Sequence, residues 1–139
     1  MNLVVDASVA LKWFMTERPD EQNVAEALAV AEIIERGGAQ LYSPPHWIAE
    51  VLSVLVRLDP AAIEGAVLTL TDMNPVVRDG ELTMRQAASI AVTQRCHLFD
   101  TLYHAVALET RATLVTADEQ YFERAKGLGA ITLLNSFRI

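Results

Sequence analysis

Cysteine is almost missing from this 139-residue chain: Cys96 is the only one, which excludes an internal disulfide and a thiolate zinc site. A lone thiol also points to a reducing, cytoplasmic setting. No apolar run approaches the roughly 20 residues that cross a bilayer, and no basic stretch precedes a greasy one at the N-terminus. Neither a membrane anchor nor a signal peptide is therefore expected. Basic residues are also scarce, with 11 Lys and Arg against 18 Asp and Glu, a net charge of −7. That balance argues against a protein that wraps nucleic acid by general phosphate neutralisation. It leaves room for an acidic site whose charge a metal cancels.

What is present reads as one domain spanning 1–139. Apolar residues make up 52% of the chain and charged ones 21%, which excludes disorder and coiled coil. Leu3-Val4-Val5 reads as a buried parallel strand ending at Asp6. A short helix is expected from Ala7 to about Met15, and a longer one from Pro19-Asp20 to the glycine cap at Gly37-Gly38. Further strands are expected at Gln40–Ser43, Val76-Val77, Thr113–Val115 and Ala130–Leu134. The helices between them are expected to open at Pro44-Pro45, at Asp59-Pro60, at Thr83 with Gln86, at Asp100, and at Thr116 with Glu119. Strands separated by helices imply an α/β fold: a mainly parallel sheet of about four to five strands, covered by helices on both faces. Such sheets bind ligands at the carboxyl ends of strands, where the winding direction reverses.

Acids sit where that rule points. Asp6 follows the first strand and Asp118 follows Thr113–Val115. Each has an ordinary reading: Asp6 as a turn or cap residue, Asp100 as an N-cap, Asp118 as a first-turn acid favoured by the helix dipole. Glu50 is harder to dismiss. Its helix is apolar around most of its circumference, and only Glu50, Ser53 and Arg57, with His46 beside them, form a polar stripe. Carboxylates gathered without a counter-charge repel one another. An oxygen-only set suits a hard cation such as magnesium or manganese, and such ions activate water and stabilise charge on a phosphoryl group.

The chain resembles the PIN domain, and within it the VapC-type toxins of bacterial toxin–antitoxin pairs. The matching stretches are Val4-Val5-Asp6-Ala7-Ser8, Pro45-His46-Trp47-Ile48-Ala49-Glu50-Val51-Leu52, Phe99-Asp100-Thr101-Leu102-Tyr103-His104-Ala105-Val106-Ala107-Leu108 and Leu114-Val115-Thr116-Ala117-Asp118-Glu119-Gln120-Tyr121-Phe122. The resemblance implies a PIN-like α/β/α sandwich and a metal-dependent endoribonuclease acting as a toxin. Its acids would be Asp6, Glu50, Asp100 and Asp118, holding one or two magnesium or manganese ions. Asp6 and Asp100 match the ligand positions best. Glu50 would bind metal or orient water, and Asp118 is the most variable in role. Ser8 and Thr116 match positions that carry hydroxyls near the metals, and both also read as helix caps. The resemblance further implies an RNA substrate cut to a 5′-phosphate and a 3′-hydroxyl, a cognate antitoxin partner and a homodimer.

Other residues admit competing readings. Lys12, Arg57, Arg78, Arg85 and Arg95 are candidates for RNA contact, although each also reads as a solvated surface charge. His97 and His104 flank Asp100 and read either as proton-transfer groups or as ordinary surface or core histidines. Leu11–Met15 reads as core, with a partner-binding patch as the alternative. Two further functions compete with the nuclease. A phospho-acceptor domain would need an acidic pair after the first strand and a lysine soon after Thr116, and the chain has neither. A PIN-like module without catalysis would keep the fold and lose acids, whereas all four are present.

Overall fold

The structure, a computed structural model, describes residues 1–139. Its first strand, β1 (Asn2–Val5), is the apolar run at the N-terminus. Leu3, Val4 and Val5 are each at most 1% exposed. Because successive strand residues point to opposite faces, both faces of β1 are covered. β2 (Gln40–Ser43) and β4 (Thr113–Thr116) flank it in parallel, with Leu3 opposite both Leu41 and Thr113. β3 (Val76-Val77) extends the sheet beyond β2, and β5 (Ile131–Leu133) extends it beyond β4. All five strands are parallel, in the order β3-β2-β1-β4-β5.

The chain winds outward from β1 through β2 to β3, then returns to β4 and winds outward to β5. The reversal therefore lies between β1 and β4, and their carboxyl ends open onto one cleft. Seven α-helices complete the fold: α1 (Ala7–Ala10), α2 (Val24–Glu35), α3 (Trp47–Leu58), α4 (Ile63–Asp72), α5 (Glu81–Gln94), α6 (Leu98–Thr110) and α7 (Glu119–Ala125). α6 lies across β1, β2 and β4, with α5 packed on its outer side. Every residue of α6 from Thr101 to Ala107 is buried. No helix is long and apolar enough to cross a membrane.

Several helix starts differ from the sequence-based expectation, each for a local reason. α1 tightens into a 3₁₀ turn over Leu11–Phe14, where the Trp13 indole N–H donates to the Ala27 carbonyl at 2.7 Å. Leu11–Met15 thus belongs mainly to the core. Residues after Pro19 do not open a helix: Lys12 holds Glu21 in a 2.6 Å ion pair, and α2 begins only after Asn23 at φ 56°. α3 starts at Trp47, because a proline at 45 disfavours helical backbone at Pro44. Its far end is less enclosed than its composition suggests, with Val56 59% exposed. Thr83 is no cap; α5 starts two residues earlier, at Glu81, and the buried Thr83 hydroxyl donates to Glu109 on α6.

α2 ends as expected. Gly38 N–H donates to the Ile33 carbonyl at 2.8 Å and Gly37 N–H to Ile34 at 3.0 Å, with Gly37 at φ 74°. A side chain at Gly37 would meet open space, so the substitution Gly37→Ala carries the left-handed backbone penalty alone. Gly65, inside α4, also faces open space. We predict opposite signs in urea melts: Gly37→Ala destabilises by about 1 kcal/mol, whereas Gly65→Ala stabilises by about 0.5–1 kcal/mol. Equal effects would mean that the α2 terminus is not built this way.

Candidate active site

Asp6 lies just beyond β1, in extended backbone immediately before α1. Its N–H donates to the Val115 carbonyl at 3.0 Å, which ties it to β4 across the switch point. One carboxylate oxygen, Oδ2, accepts both the Ser8 hydroxyl at 2.5 Å and the Thr116 hydroxyl at 2.8 Å. Ser8 and Thr116 are therefore not helix caps. Ser8 Oγ accepts the Ala117 N–H at 3.1 Å and Thr116 Oγ1 accepts the Asp118 N–H at 3.0 Å. These bonds orient both hydroxyls toward Asp6. Burial pushes the Asp6 carboxyl up to about 6, and the charges of Glu50 and Asp100 push the same way against the two hydroxyl bonds.

Asp118 caps α7, accepting the Tyr121 N–H on Oδ1 at 2.9 Å. The expected capping box from Thr116 is thereby replaced: the hydroxyl that would have capped the helix is held by Asp6. Asp100 sits in the first turn of α6, three residues past the cap position at His97, so it is not the N-cap. Neither of its carboxylate oxygens accepts a hydrogen bond from the chain. Burial raises its carboxyl above the ordinary value, and the Glu50 and Asp118 charges add to that.

Glu50 enters from the opposite wall, in the first turn of α3. Its Oε2 accepts the Tyr103 hydroxyl at 2.5 Å and lies 3.3 Å from His46 Nε2. Burial alone would raise this carboxyl, but the bonds from His46 and Tyr103 outweigh it and hold Glu50 below its usual range. Tyr103 is 1% exposed, and its hydroxyl is pushed far above the ordinary value by burial and by the charges of Asp6 and Glu50. It therefore stays protonated and donates to Glu50. His46 Nε2 also approaches the Phe99 carbonyl at 3.0 Å, which assigns the ring proton to that nitrogen. Its Nδ1 is buried without a partner.

The four expected acids are linked by like-charge repulsion, Asp6 with Glu50 and Asp100, and Asp100 with Glu50 and Asp118, while only Asp100 and Asp118 line a common pocket. No lysine or arginine pairs with any of them; His46 beside Glu50 is the only basic partner. They do not close into a cage as they stand: no three histidine, cysteine or acidic side chains lie close enough together to hold an ion. Glu50 is drawn toward Tyr103, and one Asp118 oxygen is committed to the α7 cap.

The remaining candidates separate clearly. Lys12 is buried on Glu21, whereas Arg85 pairs with Glu81 and Arg78 approaches Glu109 at 3.9 Å in surface contacts that leave both guanidinium groups exposed. Arg57 is exposed and unpaired. Arg95 and His97 line an open pocket of about 340 Å³ beside Asp100 and Asp118. His104 is fully buried: Nε2 donates to the Gly129 carbonyl at 2.7 Å and Nδ1 accepts the Tyr121 hydroxyl at 3.0 Å. Burial pushes its imidazole below the ordinary value, so it is a neutral core histidine and not a proton carrier. Sequence reasoning missed Tyr103 and Arg124. Tyr103 was accessible through its spacing, three residues after Asp100 on one helix face. Arg124 had no comparable signal.

Residues 3–128 match the family model of the PIN domain, so the chain belongs to the PIN-domain family. Its fold is similar to the solved structure of VapBC-1 from nontypeable Haemophilus influenzae, with a TM-score of 0.65 at 19% identity over 98% of this chain and 100% of that one. At that identity the likeness supports the PIN-like α/β/α fold and nothing finer. No curated protein matches the chain.

A pH-dependent stability effect follows from Asp6. A carboxyl raised from 3.8 to about 6 in the fold favours folding while protonated; that contribution is complete below about pH 3.8 and is lost as pH rises through about 6. His104 acts in the opposite direction, because an imidazole pushed down by burial destabilises the fold as pH falls. The Asp6 effect is therefore read as a difference between variants. In chelator, Asp6→Asn should gain on wild type by about 2 kcal/mol in urea-melt stability between about pH 4.5 and about pH 7.5. A difference that stays flat over that range would contradict the buried, charge-crowded environment of Asp6.

Proposed function

We propose that this chain is a metal-dependent endoribonuclease of the VapC toxin type, with residues 1–139 forming a single catalytic domain. The observation that carries this reading is the run of like-charge repulsion from Asp6 through Glu50 and Asp100 to Asp118, with no Lys or Arg paired to any of them. The donors suit a hard divalent cation: they are oxygen only, Asp6 and Asp100 are crowded by like charge, and Asp6 Oδ1 and both Asp100 oxygens accept no hydrogen bond from the chain. Asp6 and Asp100 would hold magnesium or manganese, one ion or two, with Glu50 and Asp118 as the outer acids. A bound ion supplies a water of lowered pKa and charge stabilisation at a phosphoryl group.

The chain's own residues then divide the work. Ser8 and Thr116 fix Asp6 by engaging Oδ2, which leaves Oδ1 without a hydrogen bond from the chain. Tyr103 and His46 hold Glu50 ionised, so that its free Oε1 is available to orient the attacking water and take its proton. Asp118 anchors the start of α7 by accepting the Tyr121 N–H. Attack of that water on the phosphorus breaks the bond to the 3′-oxygen, which departs and takes up a proton from solvent, so that the products are a 5′-phosphate and a 3′-hydroxyl. The same reading brings a cognate antitoxin as the inhibiting partner, a homodimer as the assembly and a cytoplasmic setting.

Purified protein, freed of any partner, is incubated with mixed cellular RNA in magnesium, in manganese and in chelator, beside Asp100→Asn. Cutting is expected with either metal, none in chelator, and a loss of roughly a hundredfold or more in the variant. Tyr103→Phe should lower kcat about tenfold by releasing Glu50, with KM little changed. RNA that is bound yet never cut under any of these conditions would overturn the nuclease in favour of a binding module.

A further inference from the structure

The open pocket beside Asp100 and Asp118 has a second wall that the carboxylate chemistry does not use. It is lined by eight residues, only two of them hydrophobic: beyond the two acids and His97 they include Arg95, Gln120 and Arg124. We propose that this pocket binds a phosphate of the RNA strand flanking the scissile bond, and that Arg95 and Arg124 are its binding residues. The inference rests on the nuclease reading and names where the strand leaves the cleft.

Charge accounting singles the pocket out. The chain has 11 Lys and Arg. Six of these lie within 4.0 Å of a carboxylate and are committed to ion pairs. Arg57, Arg95, Arg111, Arg124 and Arg138 are not. Two of those five line this one pocket, and none lines the other pockets of comparable size. A protein with a net charge of −7 thus concentrates uncommitted guanidinium groups next to its acidic cleft.

Both arginines are exposed, yet neither has collapsed onto Asp100 or Asp118, although the same pocket contains those acids. Arg124 is held instead by a hydrogen bond from Nη1 to the Arg95 carbonyl at 2.8 Å. Arg95 terminates α5 in left-handed backbone at φ 54°, which turns that carbonyl toward α7. One donor of the Arg124 fork is spent on this anchor, and the others remain available. A planar fork of N–H donors matches the non-bridging oxygens of a phosphate better than any neutral ligand. Gln120 and His97 add polar groups around the same space.

The test uses a mixed-sequence single-stranded oligoribonucleotide with wild type, Arg95→Gln, Arg124→Gln and Arg111→Gln. Arg111 is a matched control: it is also exposed, unpaired and left-handed, at φ 53°, but it lies at the opposite end of α6 from Asp100. Each pocket variant should raise KM about fivefold to tenfold with kcat nearly unchanged, and should lower the salt dependence of binding by about one ion. Arg111→Gln should behave as wild type. Pocket variants with unchanged KM and salt dependence, or a control that weakens binding equally, overturn the proposal. If wild type cuts nothing, the nuclease reading falls separately. Anisotropy binding of the same oligonucleotide then decides the pocket: loss in Arg124→Gln but not Arg111→Gln retains it, and equal binding removes it.

Discussion

The structure depends on keeping one ionisable carboxylate, Asp6, in a place where folding alone would prefer none. Asp6 directly follows a fully covered strand of the sheet and sits where the winding reverses. Placing a charge there costs free energy that two hydroxyl bonds reduce without cancelling, as its pKa of about 6 records. A group of this kind persists where something other than the fold requires it.

Much of the surrounding architecture is arranged around that carboxylate. Thr116, the last residue of β4, gives its hydroxyl to Asp6 and accepts the Asp118 N–H. Asp118 in turn begins α7, and Tyr121 on α7 rests on the neutral His104 at the heart of α6. A continuous run of hydrogen bonds therefore joins β1, β4, α7 and α6 on one side of the cleft. The other side is simpler. Tyr103 reaches from α6 to Glu50 on α3, and His46 on the same side adds a second bond, so that neither a lysine nor an arginine is needed to hold the second acid ionised. The result is two acids fixed by hydroxyls, one committed to a helix cap, and Asp100 left without a hydrogen bond.

The fold was largely legible because its strands are short apolar runs and its loops carry clear punctuation. Leu3–Val5, Gln40–Ser43 and Val76-Val77 became strands where periodicity placed them, and Gly37 closed α2. Helix starts were harder. Thr83 and Thr116 both sit three residues before a Gln or Glu, yet neither caps a helix, because a carboxylate elsewhere in the fold bonds each hydroxyl. Local spacing cannot register such a competitor. The four acids were legible from motif and topology, whereas Arg124 was not: its anchor is a backbone carbonyl 29 residues away, outside any local pattern. Glu50 was read from an almost wholly apolar helix, and that helix is more exposed than supposed, with Val56 and Leu58 at the surface.

Net charge and function also fit together. On the proposed nuclease reading, an acidic protein needs its attraction for a polyanion confined to where the strand would lie, and metal ions at the carboxylates with free arginines beside them would do so. The proposed nuclease requires the four carboxylates to form one cation site and not four separate caps and turns. Calorimetric titration of manganese into the purified protein, at about pH 7 and in parallel with Asp6→Asn, tests this most directly. The account predicts saturable binding in wild type, weakened at least about tenfold in the variant. No binding in wild type, or equal binding in both, would contradict it.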